Sequence, residues 1–317
     1  MDPLSDVLRV VRLNGAYFYL VEAASPWSVA ATAAKEMAPR ILPESDHLIS
    51  YHIVTSGTCW GGVEGEPQIA LRAGDVIVFP HGDAHFMSSA RGQRVDPEVY
   101  GQSPQRYPDT VVLGDGSRDA TLVCGFLGCD ARPFNPLIAA LPRCLHIPGG
   151  AGGWLAEFPR QAVAESRLAR AGAATMLARM AELMFVEVVR RHLETLVPEQ
   201  SGWLAGLRDP IVGAVLTCLH ENPSHGWTLA TLAAEAGSSR TVVTERFTQL
   251  IGIPPMQYLT RWRLQLAANL LAGSTAKVAA VGAQVGYDSE AAFSRAFKRE
   301  TGRSPAEFRR ARTPVST

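Results

Sequence analysis

The chain has 317 residues, 30 basic and 30 acidic, with 47% hydrophobic and 19% charged side chains, enough length for two or three domains with cores of their own. The charge is not evenly spread: residues 203–317 hold 13 Lys plus Arg against 8 Asp plus Glu, and the preceding 202 residues hold 17 against 22. A neutral whole therefore excludes a uniformly basic polyanion binder but leaves a basic last third, where a phosphate-facing surface needs it. The first residues, MDPLSDVLRVVRLNG, lack the basic-then-apolar order of a signal peptide, and no apolar run approaches membrane-spanning length, so no membrane partner and a cytoplasmic location are expected. Five cysteines, Cys59, Cys124, Cys129, Cys144 and Cys218, include no C-x-x-C pair and fit reduced thiols.

Residues Asp2 to Leu13 read as a short helix with Leu4, Val7, Leu8 and Val11 on one side. From Ala16 to about Leu127 the period changes to two: HLISYHIVTSG, PQIALRAGDVIVFP and TVVLGDGSRDATLVCGFL alternate between Gly, Pro and Asp breaks, as short antiparallel strands do. Within them, GDVIVFPHGDAH (Gly74–His85) turns into a strand and delivers a histidine after a Pro-x-Gly corner. This stretch resembles the second cupin motif with its GxxxxxPxGxxH spacing intact and its closing asparagine missing. The first motif is degraded to His52, with Ser50, His52 and Val54 on one face of their strand. Residues 2–148 resemble the cupin sensor domains found in front of some AraC-type regulators. That resemblance makes His52 and His85 candidate metal ligands, with Cys124 and His81 as completing donors of a site suited to zinc. The same residues also read as core histidines and a small core thiol.

Pro133 to Gly153 reads as the exit from the strands. A helix of about 20 residues follows, carrying a stripe of Leu177, Met180, Ala181, Met184, Phe185 and Val188, with Arg190, Arg191 and His192 near its end where they complement the helix dipole. The stripe is expected either to pack on its own domain or to pair two subunits in a homodimer. Val197 to Gly206 is expected to be a linker.

The last third repeats one pattern at an interval of fifty residues. Thr228–Ala236 is a predicted helix, Gly237 a turn, and Ser239–Leu250 a second helix; TAKVAAVG, Gly286 and Ser289–Arg299 follow the same order. Between them Pro255–Ser274 is a predicted connecting helix with Pro at its start and Gly273 near its end; a helix of about 17 residues separates the two pairs by about 25 Å. Ala292, Phe293, Ala296 and Phe297 make an inward stripe, leaving Arg295, Lys298 and Arg299 outside. Tyr258, Trp262, Phe247, Phe293 and Phe297 are spaced as core residues.

From about Asp209 to Arg310, through WTLATLAAEAGSSR, GIPPMQYLTRWRLQLAANLL and VGYDSEAAFSRAFKRETGRSPAEFR, the chain resembles the DNA-binding domain of AraC/XylS transcriptional regulators. The resemblance implies base-reading positions at Arg240, Thr241, Thr244 and Glu245 in the first unit and Glu290, Ala291 and Arg295 in the second. Arg suits guanine, Glu suits the cytosine amine, and Ala291 would meet only a thymine methyl. Ser239, Arg246, Ser289, Lys298 and Arg299 are phosphate candidates. The expected fold is α+β and multidomain: a cupin-like antiparallel β-barrel over 1–150, a helical segment over 151–202, and an all-α domain with two helix-turn-helix units over 203–317. The expected function is a DNA-binding regulator that senses a small molecule or metal, with double-stranded DNA, an effector and, for an activator, RNA polymerase as partners. The alternatives are a metal-dependent cupin enzyme and a thiol sensor using Cys59 or Cys124. Against an enzyme, the cupin set of three histidines and a glutamate is not present, and no paired carboxylates or phosphate loop replaces it.

Overall fold

The computed structural model describes residues 2–11, 13, 16–43, 45, 47–93, 109–129, 133–149, 154–168, 170–196 and 201–312. Along the chain, α1 (Pro3–Val11), β1 (Ala16–Ala23), β2 (Ser28–Ala31) and α2 (Ala34–Ile41) come first. Next are β3 (His47–Ser56), β4 (Thr58–Val63), β5 (Ile69–Arg72), β6 (Val76–Phe79), β7 (His85–Ser88), β8 (Asp109–Leu113) and β9 (Ala120–Cys129). After them come α3 (Pro136–Ala140), β10 (Leu145–Ile147), α4 (Phe158–Leu168) and α5 (Ala173–Thr195). The rest is helical: α6 (Trp203–Arg208), α7 (Pro210–Glu221), α8 (Leu229–Glu235), α9 (Arg240–Ile251), α10 (Pro255–Gly273), α11 (Val278–Gln284), α12 (Glu290–Thr301) and α13 (Pro305–Arg312). Among the described residues no helix is long and apolar enough to cross a membrane.

The chain forms two compact units, one of Leu13–Asp130 with Leu141–Thr195, the other of Met1–Arg12, Ala131–Ala140 and Leu196–Thr317. In the first, the strands form two sheets, ordered β10-β6-β3-β9-β1-β8 and β2-β7-β4-β5, where one closed barrel was expected. Nor is the pairing wholly antiparallel, because β1 and β8 run parallel. β3 is buried along most of its length on both faces, taking the polar Ser50 and His52 into the interior with its apolar residues. Tyr19, Trp27, Phe79, Met87, Cys124 and Phe126 belong to one buried cluster that fills this unit's core. The stripe on α5 packs against β1, β9 and β10 of its own unit, burying Leu177, Ala181, Met184, Phe185 and Val188. It is therefore not available for pairing subunits. The exit segment also carries more structure than expected, since β10 extends the larger sheet beside β6.

Asp75 explains why the Gly-Asp turn is built as it is. Gly74 takes φ +93°, and the following carboxylate, almost fully buried, accepts from the Gly149 amide at 2.8 Å and lies 3.0 Å from His146 Nε2. Gly82 at φ +65° lets the corner close, since a Cβ there would lie 2.6 Å from the Ala34 Cβ and 2.7 Å from the Leu48 carbonyl oxygen.

In the helical unit, part of the stretch expected to be a linker is α6; residues 197–200 of that stretch lie outside the described residues. Asp209 then caps α7, accepting from the Ile211 and Val212 amides at 3.0 and 2.9 Å, with Pro210 at the first helical position. Two chain-remote pieces complete this unit. The fully buried Gln265 of α10 accepts from the Phe134 amide at 2.9 Å and donates to Asn269 Oδ1 at 3.2 Å, while Asn269 donates to the Val10 carbonyl of α1. Phe134 also stacks edge-on against Tyr258 at 5.4 Å.

Gln265 is worth more as a satisfied network than as an isolated polar group, because an orphaned buried donor or acceptor costs about 1–3 kcal/mol. A fragment of residues 203–317 lacks both remote pieces, so the amides of α10 should exchange with deuterium faster in it than in the full chain. Equal protection in the two would show that α1 and residues 133–140 add nothing to this unit's stability.

Candidate functional sites

The last third contains two helix pairs built alike. α8 and α9 are joined through Gly237 at φ +58°, α11 and α12 through Gly286 at φ +88°. Ser239 Oγ accepts from the Val242 amide at 3.3 Å and Ser289 Oγ from the Ala292 amide at 3.2 Å, each capping the second helix of its pair. Gly252 and Gly302 end those helices in the left-handed conformation, at φ 84° and 75°. Residues of α9 and α12 thus correspond at a constant offset of fifty, cap for cap. The buried sides are Val243 and Phe247 in one, Phe293, Ala296 and Phe297 in the other.

The opposite sides are exposed. Arg240, Thr241 and Glu245 on α9, and Glu290, Ala291, Arg295, Lys298 and Arg299 on α12, are all exposed. Thr244 is half-buried and donates its hydroxyl back to the Arg240 carbonyl at 2.8 Å, so only its oxygen lone pairs remain for a base. Arg246 is the clearest difference from the sequence reading. Its guanidinium grips Asp209, Nε at 2.7 Å and Nη2 at 2.6 Å, and that same carboxylate caps α7. Arg246 is therefore a brace between α7 and α9 before it is a phosphate ligand. Ser239 and Ser289 are likewise caps first. Val242 and Gln249 are also exposed on α9, where the 100° step of a helix from the buried Val243 and Phe247 puts them.

In the sheet unit, His52 on β3 and His85 on β7 meet across the two sheets with their Nε2 atoms 2.8 Å apart, both buried. The tautomers follow from the neighbours. His85 Nδ1 lies 2.9 Å from the Asp83 carbonyl, so it carries the proton and Nε2 is left as an acceptor; His52 Nε2 must then donate. His52 Nδ1 is a bare lone pair with no hydrogen-bond partner. Phe79 stacks on His85, ring centroids 3.8 Å apart. Burial makes both imidazoles harder to protonate, holding His85 down at about 4 and His52 well below its ordinary value.

The four donors considered for zinc do not come together. Among the described residues no three His, Cys, Asp or Glu side chains converge on a metal-sized space. His81 is turned away, its Nε2 donating to the Leu141 carbonyl at 2.8 Å. Cys124 is the strand neighbour of His52, but burial raises its thiol well above the usual range. Cys59 is pushed up to about 12 by burial, so neither thiol has the thiolate character that a reactive cysteine needs. A cavity of about 600 Å³ opens beside the corner, lined by Lys35, His47, Glu64, His81, Asp83 and Arg143. Arg143 is already held there by Asp83 at 3.0 Å and Glu66 at 3.1 Å.

A sheet unit with a side cavity, carried on the same chain as paired capped helices with exposed polar faces, basic on α12, fits a DNA-binding protein of the helix-turn-helix class with a separate β-rich region. Family models agree with both parts: one described as "Cupin" matches residues 2–194, and one described as "Helix-turn-helix domain" matches residues 232–311. Over 98% of both chains the protein is 34% identical to a putative AraC-like transcription regulator of Streptomyces lividans. It is 28% identical to the HTH-type transcriptional regulator AlkR of Acinetobacter baylyi over 98% of this chain and 99% of that one. The solved DNA-binding domain of AdpA, in complex with a target DNA, is 35% identical over 34% of this chain and 99% of its own, with a TM-score of 0.32. The chain belongs to the AraC-like transcription regulators, with a cupin-type N-terminal region and a helix-turn-helix DNA-binding region.

The imidazole pair makes the sheet unit acid-sensitive. Unfolded histidines take a proton near pH 6.5, whereas folded His85 resists it until about pH 4, so the unfolded state binds more protons between those values. Stability should be unaffected by this pair above pH 7 and fall as the pH drops through that window, by about 2 kcal/mol at pH 5 from His85 alone. Denaturant unfolding of the wild type and of the His52→Gln/His85→Gln double variant, each at pH 7 and pH 5, measures it. An equal loss on acidification in both proteins would remove the pair as the cause.

Proposed function

We propose that α8–α9 and α11–α12 act as two helix-turn-helix units that lay α9 and α12 into successive major-groove segments of a promoter. The observation that carries this reading is the fifty-residue correspondence: two second helices with the same serine cap, the same glycine stop and a solvent-facing side opposite the buried one. Arg240, Thr241, Thr244 and Glu245 in one unit, and Glu290, Ala291 and Arg295 in the other, are the base-reading positions. Lys298, Arg299 and the caps Ser239 and Ser289 meet phosphates, and Arg246 contributes by holding α9 in place.

The sheet unit is the sensing part. Its core is filled by its own side chains, so the cavity beside His81 and Arg143 is the place for a small polar effector. An effector acts on DNA binding only through a difference in its affinity for two arrangements of the chain. The protein works in the cytoplasm, on DNA, and RNA polymerase is its further partner if it activates.

A second copy of the chain is the partner for the outer face of α5. Met176 and Leu183 stand 54% and 59% exposed there, flanked by Arg179 and Glu187. An antiparallel mate centred on Leu183 packs that leucine on its own copy, while Arg179 stays paired with Glu182 and Glu187 with Arg190 and Arg191 within each helix. Light scattering should show a dimer that Leu183→Glu converts to monomer; a wild type that is monomeric at micromolar concentration contradicts the pairing.

For the DNA reading, Arg295→Ala should weaken binding to a selected operator by about 1–3 kcal/mol and leave random DNA almost unchanged. Lys298→Ala should weaken both alike and lower the salt slope by about one. If both variants lose equally on both DNAs, the assignment of roles on α12 fails.

A further inference from the structure

Among the described residues of the helical unit only two large apolar side chains are well exposed, Met256 at 37% and Val242 at 41%, and Val242 stands on the first turn of α9. The helix geometry defines where it points. Val243 and Phe247 set the inward direction; stepping 100° per residue, Glu245 points straight out, Thr241 and Gln249 lie about 40° to either side of it, and Val242 about 60° from it. The side chain thus belongs to the outward face, beside the polar groups that read bases and away from the core.

Nothing in local folding calls for valine there. A β-branched residue is a poorer helix former than alanine or glutamate, and an isopropyl group left in water gains nothing from burial. Its setting is nevertheless rigid: the Val242 amide is the one that the Ser239 cap accepts from at 3.3 Å, and a β-branched side chain in a helix has essentially one rotamer. A stiff apolar group is therefore held ready at the end of the helix that enters the groove. The corresponding position fifty residues on is Ala292, half-buried, so α12 offers no counterpart.

On base edges in the major groove the thymine C5-methyl is the apolar partner available. We propose that Val242 is a specificity-determining residue of the first unit, which packs its isopropyl group on the methyl of one thymine in the half-site read by α9. The proposal rests on the reading of α9 as a groove-entering helix. It makes the two half-sites chemically unequal: the α9 half is read in part by a branched apolar side chain packed on a methyl, the α12 half mainly by the charge and hydrogen bonds of Glu290 and Arg295, with only the single methyl of Ala291 beside them.

The test starts from an operator selected out of random-sequence DNA with the full chain. Each thymine is replaced singly by deoxyuridine, which keeps the hydrogen-bonding edge and removes only the methyl. Wild type should lose about fivefold in affinity at one thymine of one half-site. Val242→Ala should bind the unmodified operator about fivefold more weakly and show no further loss at that thymine, while keeping the wild-type penalties elsewhere and the wild-type melting temperature. Val242→Thr, which retains one methyl, should recover part of the sensitivity. If wild type and Val242→Ala show the same deoxyuridine penalty at every thymine, the valine assignment is overturned although the DNA reading stands. If selection with the wild type enriches no sequence, the reading of α9 falls and takes the valine with it.

Discussion

The geometry of the helical unit depends on where Arg263 sits. From the middle of α10 its guanidinium donates to three backbone carbonyls, Pro223 at 2.6 Å, His225 at 2.8 Å and Gly286 at 3.1 Å. The first two belong to the segment leading into α8, the third to the turn between α11 and α12. One half-buried cation thus ties both helix pairs to the rod between them. Carbonyls serve here better than carboxylates, because they satisfy the donors without placing further negative charge on the DNA-facing unit. Gly286 is the other half of the device. A Cβ there would lie 2.8 Å from the Ser224 Cα and 2.9 Å from Arg263 Nη2, so the turn needs glycine for space as well as for its positive φ. An ion pair between Arg261 and Glu300, at 3.2 Å, adds a second tie from α10 to α12.

With the pairs held this way, α9 and α12 are alike in backbone and different in chemistry. Position for position, Glu245 answers to Arg295 and Arg246 to Ala296, so the sign of the central outward charge reverses between the units and the bracing arginine of one is a core alanine in the other. Asp209 makes that brace possible by serving two partners at once, capping α7 and pairing with Arg246. Its carboxyl is held below the usual range despite burial, by hydrogen bonds from the α7 amides and by that guanidinium. A repeat of local structure thereby presents two unlike surfaces.

What was legible in the sequence was what local rules decide. The helices beginning at Ser239 and Ser289, the turns at Gly237 and Gly286, and the inward aromatics of α12 are set by residues within about one turn of each other, and they stand where their spacing puts them. What was not legible depends on partners far away in the chain. The stripe on α5 has the same period whether it faces a sheet or another subunit, and only the presence of β1, β9 and β10 beneath it decides. α6 was hidden by the Pro and Gly around it. Arg246 looked like any outward cation because its partner lies 37 residues back in the chain. The histidine pair was half-legible: both members could be named, but the hydrogen bond between them could not, nor the failure of Cys124 and His81 to join them.

Gln265 is the case in which polarity inside the core is informative by itself. A leucine at that point of α10 would bury as well and would spare the cost of desolvating an amide. The amide is instead fully used, its oxygen on the Phe134 N–H and its nitrogen on Asn269, which in turn holds Val10. The network reaches residues 133–140 directly and, through Asn269, the first helix of the chain. Hydrogen bonding to a main-chain N–H fixes position more tightly than an apolar contact would, because it fails within a fraction of an ångström. That makes the amide at position 265 a better choice than leucine for a helix that has to be fixed against α1 and residues 133–140 of its own unit.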